Sequence, residues 1–107
     1  MDIEELGSIC MEMISNAGEG RFYTHEALGK TLEEKFIEAS ELLIKAEEFL
    51  GEAHKIQFEQ LMTPQMRGEN LPFSMLLLHA MDLLMVSTSE HDMLSMIVNR
   101  QLEKERS

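Results

Sequence analysis

The stretch from Leu71 to Val86 constrains the fold more than any other part of the sequence. Its only residues that are not plainly apolar are Pro72, Ser74, His79 and Asp82. The stretch is too short and too interrupted to predict a membrane span. A helix that is apolar on every face has to be buried on every face. Because a three-helix monomer covers only about half of such a helix, we expect a homo-oligomer, with a groove for a different partner's helix as the alternative.

The first part of the chain has the periodicity of a helix over about residues 3–29. Apolar side chains recur there at spacings of three and four residues. Gly18 and Gly20 interrupt this pattern, so we expect either a bend or a very closely packed neighbour. Gly29 predicts the end of the helix. Residues Thr31 to Glu34 match a capping box, which predicts that the second helix begins there.

Two more helices are predicted, over residues 32–62 and 72–104. In the second helix apolar residues recur every seven positions, with alanines between them and charged residues opposite. Pro64 and Gly68 indicate a loop after it. No alternating pattern typical of strands is present. The sequence therefore predicts an all-α fold, an antiparallel up-down-up three-helix bundle that forms a single domain over residues 1–107.

Composition and charge exclude several classes of function. Asp and Glu number 20 and Lys and Arg number 9, so the net charge is −11. Such a surface repels phosphate backbones and anionic lipids, so neither nucleic acid nor a membrane surface is the expected partner. The single cysteine, Cys10, is predicted to be a small core residue, with a nucleophilic thiol as the alternative. One cysteine and an acidic start without a signal-peptide pattern predict a cytoplasmic protein.

His79 and Asp82 are the candidate functional residues. They lie three residues apart on one helix face, and no Lys or Arg between Arg67 and Arg100 is available to pair with the carboxylate. One interpretation is a hydrogen bond between the two side chains that fixes the helix register. The functional interpretation is that neutral His79 attacks an electrophilic phosphorus. Asp82 carboxylates that converge in an oligomer would then need a shared proton or a hard cation such as Mg²⁺.

The other histidines are weaker candidates. His25 and His91 lie beside acidic residues and are predicted to be solvated. His54 precedes Gln57 by three residues on the second helix and is predicted to form a hydrogen bond at a helix interface. No phosphate-binding glycine loop, Cys-x-x-Cys or Gly-x-Ser-x-Gly motif is present. The sequence therefore gives little support to catalysis without partner proteins.

Several motifs together resemble the lactose/cellobiose-type IIA proteins of the bacterial phosphoenolpyruvate-dependent sugar phosphotransferase system. The run 77–85 is similar to the phosphorylation-site helix of that family, whose pattern is His-x-Gln-Asp-His-Leu-Met. The stretches 16–18, 52–57 and 68–74 are similar to three further family motifs in the same order. Two positions beside Asp82 depart from the pattern. Met81 replaces the usual Gln, which alters the polar surroundings of the carboxylate, and Leu83 replaces a frequent His that would support the phosphate.

The resemblance implies a homotrimer of three-helix subunits, which together form a nine-helix bundle. It implies that His79 accepts a phosphoryl group from the phosphocarrier protein HPr and passes it to a cysteine of the IIB component. The sugar is phosphorylated during uptake through the membrane IIC component. It also implies that Asp82 binds a divalent metal ion, Mg²⁺, one per trimer at the symmetry axis. The protein would be a phosphotransferase component that reaches the membrane only through IIB and IIC.

Two other functions remain open at this point. A histidine phosphotransfer module of a signalling relay is also helical and acidic, but it usually has Lys and Gly after the histidine, where this chain has Ala80 and Met81. A non-catalytic interaction bundle would use His79 and Asp82 only to fix the helix register. The transported sugar is not specified by any of these residues.

Overall fold

Three long helices account for nearly all of the chain, and the computed structural model describes residues 1–106. α1 is Ile3–Leu32. α2 comprises Phe36–Gln57, a π-helical turn at Phe58–Met62 and a last α-helical turn at Thr63–Met66. α3 is Met75–Arg106. Residues 1–106 contain no strand, so the predicted all-α, three-helix fold is confirmed.

Contacts between α2 and α3 show that the two helices run in opposite directions. His54 contacts Thr88, while Leu43, earlier on α2, contacts His91, later on α3. The short connection at residues 33–35 likewise turns the chain back on itself between α1 and α2. The bundle is therefore up-down-up, and it is elongated, with extents of 54 × 22 × 16 Å.

Buried apolar side chains form two clusters along the bundle axis. The first joins the start of α1, the end of α2 and the start of α3, and it contains Leu6, Cys10, Met13, Ala17, Leu50, Ala53, Ile56, Leu61, Ala80 and Leu84. The second lies at the other end and contains Ala27, Ala39, Leu43, Leu94 and Val98. Cys10 is fully buried, which confirms its prediction as a core residue. Burial raises the pKa of its thiol and so disfavours the reactive thiolate.

α1 continues as a helix through both of its central glycines, and α2 packs very closely at one of them. A Cβ atom at Gly20 would lie 2.7 Å from the Leu50 side chain and 3.2 Å from the Ala46 carbonyl oxygen. A Cβ atom at Gly18 would meet nothing within 4 Å. The sequence predicted either a bend or a very closely packed neighbour at these glycines. The closely packed neighbour is confirmed, and it lies at Gly20 only.

The predicted boundary between the first two helices is wrong. α1 does not end at Gly29, and the Thr31 hydroxyl donates a hydrogen bond of 2.8 Å to the Ala27 carbonyl, so Thr31 belongs to the last turn of α1. The chain turns instead at Glu34, which has a left-handed φ of 60°. The Lys35 amide there bonds to the carbonyl of Lys30 and closes the helix end.

The boundaries of the last two helices also differ from the prediction. α2 starts at Phe36 and extends beyond residue 62 through its π-helical turn. α3 begins at Met75 rather than at residue 72, because the Ser74 hydroxyl accepts a bond from the Leu77 amide and caps the first turn. None of the helices in residues 1–106 combines the length and the apolar character needed to cross a membrane.

Candidate functional site

The side of α3 that faces away from α1 and α2 is largely apolar and exposed. We define the outer face of α3 by the residues at alternating spacings of three and four, Met75, Leu78, Asp82, Met85, Ser89, Asp92 and Met96, all of which are exposed in the single chain. The opposite side carries the buried residues Ala80, Leu84, Ser87, His91, Leu94 and Val98. The bundle thus covers one side of α3 only, as the apolar stretch in the sequence predicts.

Asp82 lies in the middle of this apolar outer face. Its neighbours one turn away along the face are Leu78 and Met85, and it has no hydrogen bond or ion pair within the described part of the chain. Residues 1–106 contain no group of three potential metal-ligating side chains.

His79 is exposed on α3, close to the outer face but on one of its flanks. Its ring forms no hydrogen bond with any described residue, and the considered bond to Asp82 is absent. The ring is therefore exposed and unpaired in the single chain. An accessible, unpaired imidazole is suited to nucleophilic attack on phosphorus.

The two departures from the family pattern fall on different sides of α3. Leu83 packs against the first core cluster, so it contributes to the core rather than to the polar surroundings of His79. Met81 is exposed and lines a groove beside Gln57. Leu83, which stands where the family often has His, therefore packs in the core. Met81, which stands where the family usually has Gln, places a flexible thioether in a groove that also contains the Gln57 amide.

This groove, which we call the α2–α3 groove, consists of two adjoining cavities. The cavity of about 480 Å³ near the π-helical turn is lined by Gln57, Leu61, Met62, Gln65, Leu71, Pro72, Leu77 and Met81. The cavity of about 440 Å³ further along α3 is lined by His54, Gln57, Met81, Leu84, Met85, Thr88, Ser89, Asp92, Met93 and Met96. Gln57 and Met81 line both cavities and so lie where they meet.

His54 bridges α2 and α3 at the second cavity. Its Nε2 lies 3.0 Å from the Thr88 hydroxyl, and that hydroxyl donates a 2.7 Å bond to the Leu84 carbonyl. Because the hydroxyl proton is used in this way, the hydroxyl accepts from His54, whose proton is therefore on Nε2. The predicted role of His54 in a hydrogen bond at a helix interface is confirmed.

The prediction that His91 is solvated is wrong. Its ring is buried, with Nε2 at 3.0 Å from the Leu43 carbonyl oxygen and Nδ1 at 3.0 Å from Asp92. The sequence contained a signal for this burial, since His91 follows Leu84 by seven residues on the core side of α3. His25 is exposed as predicted, but its Nε2 lies 3.4 Å from Glu90.

Glu90 also pairs with Arg21, and sequence reasoning missed this ion pair. The guanidinium holds the pKa of Glu90 below its usual value by hydrogen bonding, and the pKa of Arg21 is raised in return. The pair joins α1 to α3 on the flank of α3 opposite the α2–α3 groove.

Comparisons with known proteins identify the family of the chain. A family model described as "PTS system, Lactose/Cellobiose specific IIA subunit" matches residues 8–101. The chain belongs to this family of the phosphotransferase system. The resemblance in the motifs around His79 is therefore confirmed at the level of the family.

Individual relatives in the family differ in the sugar that their names specify. The oligo-β-mannoside-specific EIIA component of Bacillus subtilis is 38% identical over 81 residues, which cover 76% of this chain and 73% of that protein. The lactose-specific EIIA component of Staphylococcus epidermidis is 28% identical over 98 residues, which cover 92% and 93%. The crystal structure of the cellobiose-specific enzyme IIA from Bacillus anthracis has a TM-score of 0.83 and 32% identity, and the match covers 100% of this chain and 95% of that one.

Proposed function

We propose that the protein is a phosphoryl carrier subunit of a sugar phosphotransferase system. His79 accepts the phosphoryl group from phospho-HPr and passes it to the IIB component during uptake of a lactose/cellobiose-type sugar. The observation that carries this proposal is the exposed, unpaired ring of His79, within a run of residues that resembles the family's phosphorylation-site helix. The protein turns over only together with its partner proteins.

The chemistry of the step follows from the exposure of His79. The lone pair of a ring nitrogen attacks the phosphorus, a phosphorus–nitrogen bond forms, and the bond between phosphorus and the donor breaks with its electron pair going to the donor. No Lys or Arg lies between Arg67 and Arg100 to hold the resulting dianion strongly. Weak stabilisation suits a carrier, because a deeply stabilised phosphoryl group would not be passed on.

We propose that the outer face of α3 is covered by two further copies of the chain in a homotrimer. The support is the self-complementary apolar pattern of Met75, Leu78, Met85 and Met96, which is exposed in the single chain. Asp82 would lie at the symmetry axis, where three carboxylates repel unless a cation or protons offset their charge. We propose one Mg²⁺ per trimer as that cation, because hard divalent ions prefer oxygen ligands.

The proposed partners are HPr and the IIB component, both reached through protein–protein contacts in the cytoplasm. Membrane association would arise only through IIB and IIC. The net charge of −11 supports docking on cationic surfaces of these partners. Relatives named for lactose and oligo-β-mannoside support a β-linked oligosaccharide as the class of sugar.

One labelling experiment separates this function from its alternatives. The protein is incubated with phosphoenolpyruvate, Enzyme I and HPr, and label that is labile in acid and stable in alkali is measured. We expect stoichiometric labelling of His79. A signalling phosphotransfer module would take label only from a sensor kinase, and a non-catalytic bundle would take none from either source.

A further inference from the structure

We propose that His25 of one subunit and Asp92 of the next form an ionic contact that joins adjacent copies of the chain. In this contact a protonated His25 lies between Glu90 of its own subunit and the incoming Asp92 carboxylate. Assembly is therefore tighter at mildly acidic pH than at mildly alkaline pH. This inference rests on the proposed homotrimer, and it assigns to assembly two residues that the transfer of phosphate does not use.

The outer face of α3 carries a second carboxylate besides Asp82. Asp92 is exposed in the single chain and lies at the edge of this face that borders the α2–α3 groove, which it lines. Its Oδ1 lies 3.0 Å from Nδ1 of His91, and it has no other polar partner within residues 1–106. A second copy that covers the outer face removes water from this carboxylate, so the carboxylate needs a partner from that copy.

A cluster of three titratable side chains lies on the opposite flank of α3. Glu90 accepts hydrogen bonds of 2.9 and 3.3 Å from Arg21, and Nε2 of His25 lies 3.4 Å from the same carboxylate. The His25 side chain is 54% exposed, and its Nδ1 has no partner in the described part of the chain. Because Arg21 and Glu90 offset each other, a proton on His25 gives the cluster a net positive charge, which attracts one more carboxylate.

Glu90 and Asp92 are placed symmetrically about Asp82. Around the helix, Glu90 lies about 80° from Asp82 toward α1, and Asp92 lies about 80° from it toward α2. When three parallel α3 helices pack around an axis beside Asp82, each helix has a neighbour on both sides. The Glu90 flank of one subunit then faces the Asp92 flank of the next.

The two flanks also meet at nearly the same level along the axis. Threefold symmetry places equivalent residues of parallel helices at one height. Glu90 and Asp92 are two residues apart, which corresponds to about 3 Å of helix rise. His25 is in contact with Glu90 and lines, with it, a mostly apolar cavity of about 270 Å³. The Asp92 carboxylate of the next subunit can therefore reach His25 at this cavity.

The balance of charge decides the pH at which the contact is strongest. The charged groups that face His25 are Arg21 on α1, Glu90 on α3 and Asp92 of the adjacent subunit. With a neutral His25, two carboxylates face one guanidinium and repel each other. With a protonated His25, two positive charges offset two negative ones. Since histidine side chains change charge between about pH 5 and 8, assembly should strengthen as the pH falls through that range.

Two other histidines lie beside Asp92 within its own subunit. His91 is buried and contacts Asp92 through Nδ1, and His54 lines the same cavity with its Nε2 beside the Thr88 hydroxyl. Both histidines are retained in every variant compared below. A change in pH dependence on substitution of His25 is therefore not due to either of them.

The first test measures the trimer dissociation constant by sedimentation equilibrium at about pH 6 and about pH 8. The parent is compared with His25→Gln, Asp92→Asn and the double variant. We expect the parent to dissociate about tenfold less at the lower pH, because three exposed ion pairs of modest strength form in each trimer. Each single variant should lose this difference, and the double variant should lose no more than either one. Independent, additive effects of the two substitutions would overturn the inference.

Glu26→Gln is the matched control for the change in charge. Glu26 is adjacent to His25 in the sequence but points about 100° away from it around α1, and it is exposed. We expect this variant to keep the pH dependence of the parent. Loss of the pH dependence in Glu26→Gln would show that overall charge, and not the contact between His25 and Asp92, is responsible.

A cross-linking experiment tests the contact without reference to pH. His25→Cys and Asp92→Cys chains are mixed, refolded together and treated with a short bismaleimide. Cys10 is fully buried and does not compete for the reagent. Covalent dimers on a denaturing gel are expected from the mixture and not from either variant alone. No dimers from mixed trimers would show that the two positions are not adjacent, and would overturn the inference.

The outcomes also separate this inference from the proposed function. If the parent sediments as a monomer at both pH values, the proposed trimer and this inference both fail, while labelling of His79 still tests the carrier function. If the parent is a trimer whose dissociation does not depend on His25 and Asp92, the trimer stands and the contact is wrong.

Discussion

Arg21 on α1 and Glu90 on α3 are joined by two hydrogen bonds, from Nε to Oε1 at 2.9 Å and from Nη2 to Oε2 at 3.3 Å. This bidentate pair links α1 to α3. His25 adds a third contact to the same carboxylate at 3.4 Å. The geometry explains why the pKa of Glu90 lies below its usual value.

The first prediction concerns acid stability. The pKa of Glu90 is lowered in the folded protein, so its contribution to stability is fully present above the ordinary value of 4.5 and is lost as the pH falls through the lower folded value. Both side chains are partly exposed, so the contribution is below about 1 kcal/mol. Urea unfolding of the parent and Glu90→Gln at neutral pH and below pH 4.5 should show a difference that shrinks in acid. A difference that grows as the pH falls would contradict this sign.

The second prediction concerns His79. Because its ring is exposed and unpaired in the described structure, His79→Ala should abolish labelling and change the free energy of unfolding by no more than about 0.5 kcal/mol. Labelling by phospho-HPr and thermal unfolding provide the two measurements. His54→Ala is the matched control, and it should keep its label while losing some stability through the Thr88 contact. Label that persists in His79→Ala would place the site elsewhere.

The third prediction concerns Asp82 and the proposed metal ion. Chelation should lower the melting temperature of the parent at neutral pH, because three uncompensated carboxylates would then repel one another at the axis. Asp82→Leu should be insensitive to chelation and should remain a trimer by light scattering, since an apolar residue extends the outer face. If chelators leave the melting temperature of the parent unchanged, the proposed metal ion at Asp82 is wrong, and protons shared between the carboxylates become the better explanation. A parent that scatters as a 12.3 kDa monomer would contradict the trimer.

The fourth prediction concerns the close approach of α1 and α2. Gly20→Ala places a Cβ atom 2.7 Å from Leu50 and 3.2 Å from a backbone oxygen of Ala46, so we expect a loss of about 1–3 kcal/mol. Gly18→Ala is the matched control in the same helix. Its Cβ atom meets nothing within 4 Å, so it should gain about 0.5–1 kcal/mol from helix propensity. Urea unfolding of both variants measures the difference, and equal effects would show that the close packing is absent.

Much of the candidate site could be predicted from the sequence because it lies on one helix. The outer face of α3, with Asp82 between Leu78 and Met85, follows from the periodicity of an α-helix. The exposure of that face followed from a second argument, that three helices cannot cover an apolar helix on every side. The motif around His79 also predicted the family, which the match over residues 8–101 confirms.

Helix boundaries could not be predicted from the sequence in the same way. Thr31 and Glu34 form a plausible capping box by residue type, yet Glu34 adopts the left-handed conformation that ends α1. Glycine usually occupies such a position, so a glutamate there gives little local signal. The end of α1 is instead defined by the left-handed Glu34 and the bond from the Lys35 amide to the Lys30 carbonyl.

The sequence by itself determined which residues share a face of each helix, since the helical period is a local property of the backbone. Only the tertiary structure decided which helix faces pack against each other and which residues lie at the same level along the bundle axis. Gln57 lies beside Met81, and Glu90 beside Arg21, because close packing of side chains sets the register of neighbouring helices. Contacts between residues so distant along the chain depend on the shapes of all three helices together, which no local pattern encodes.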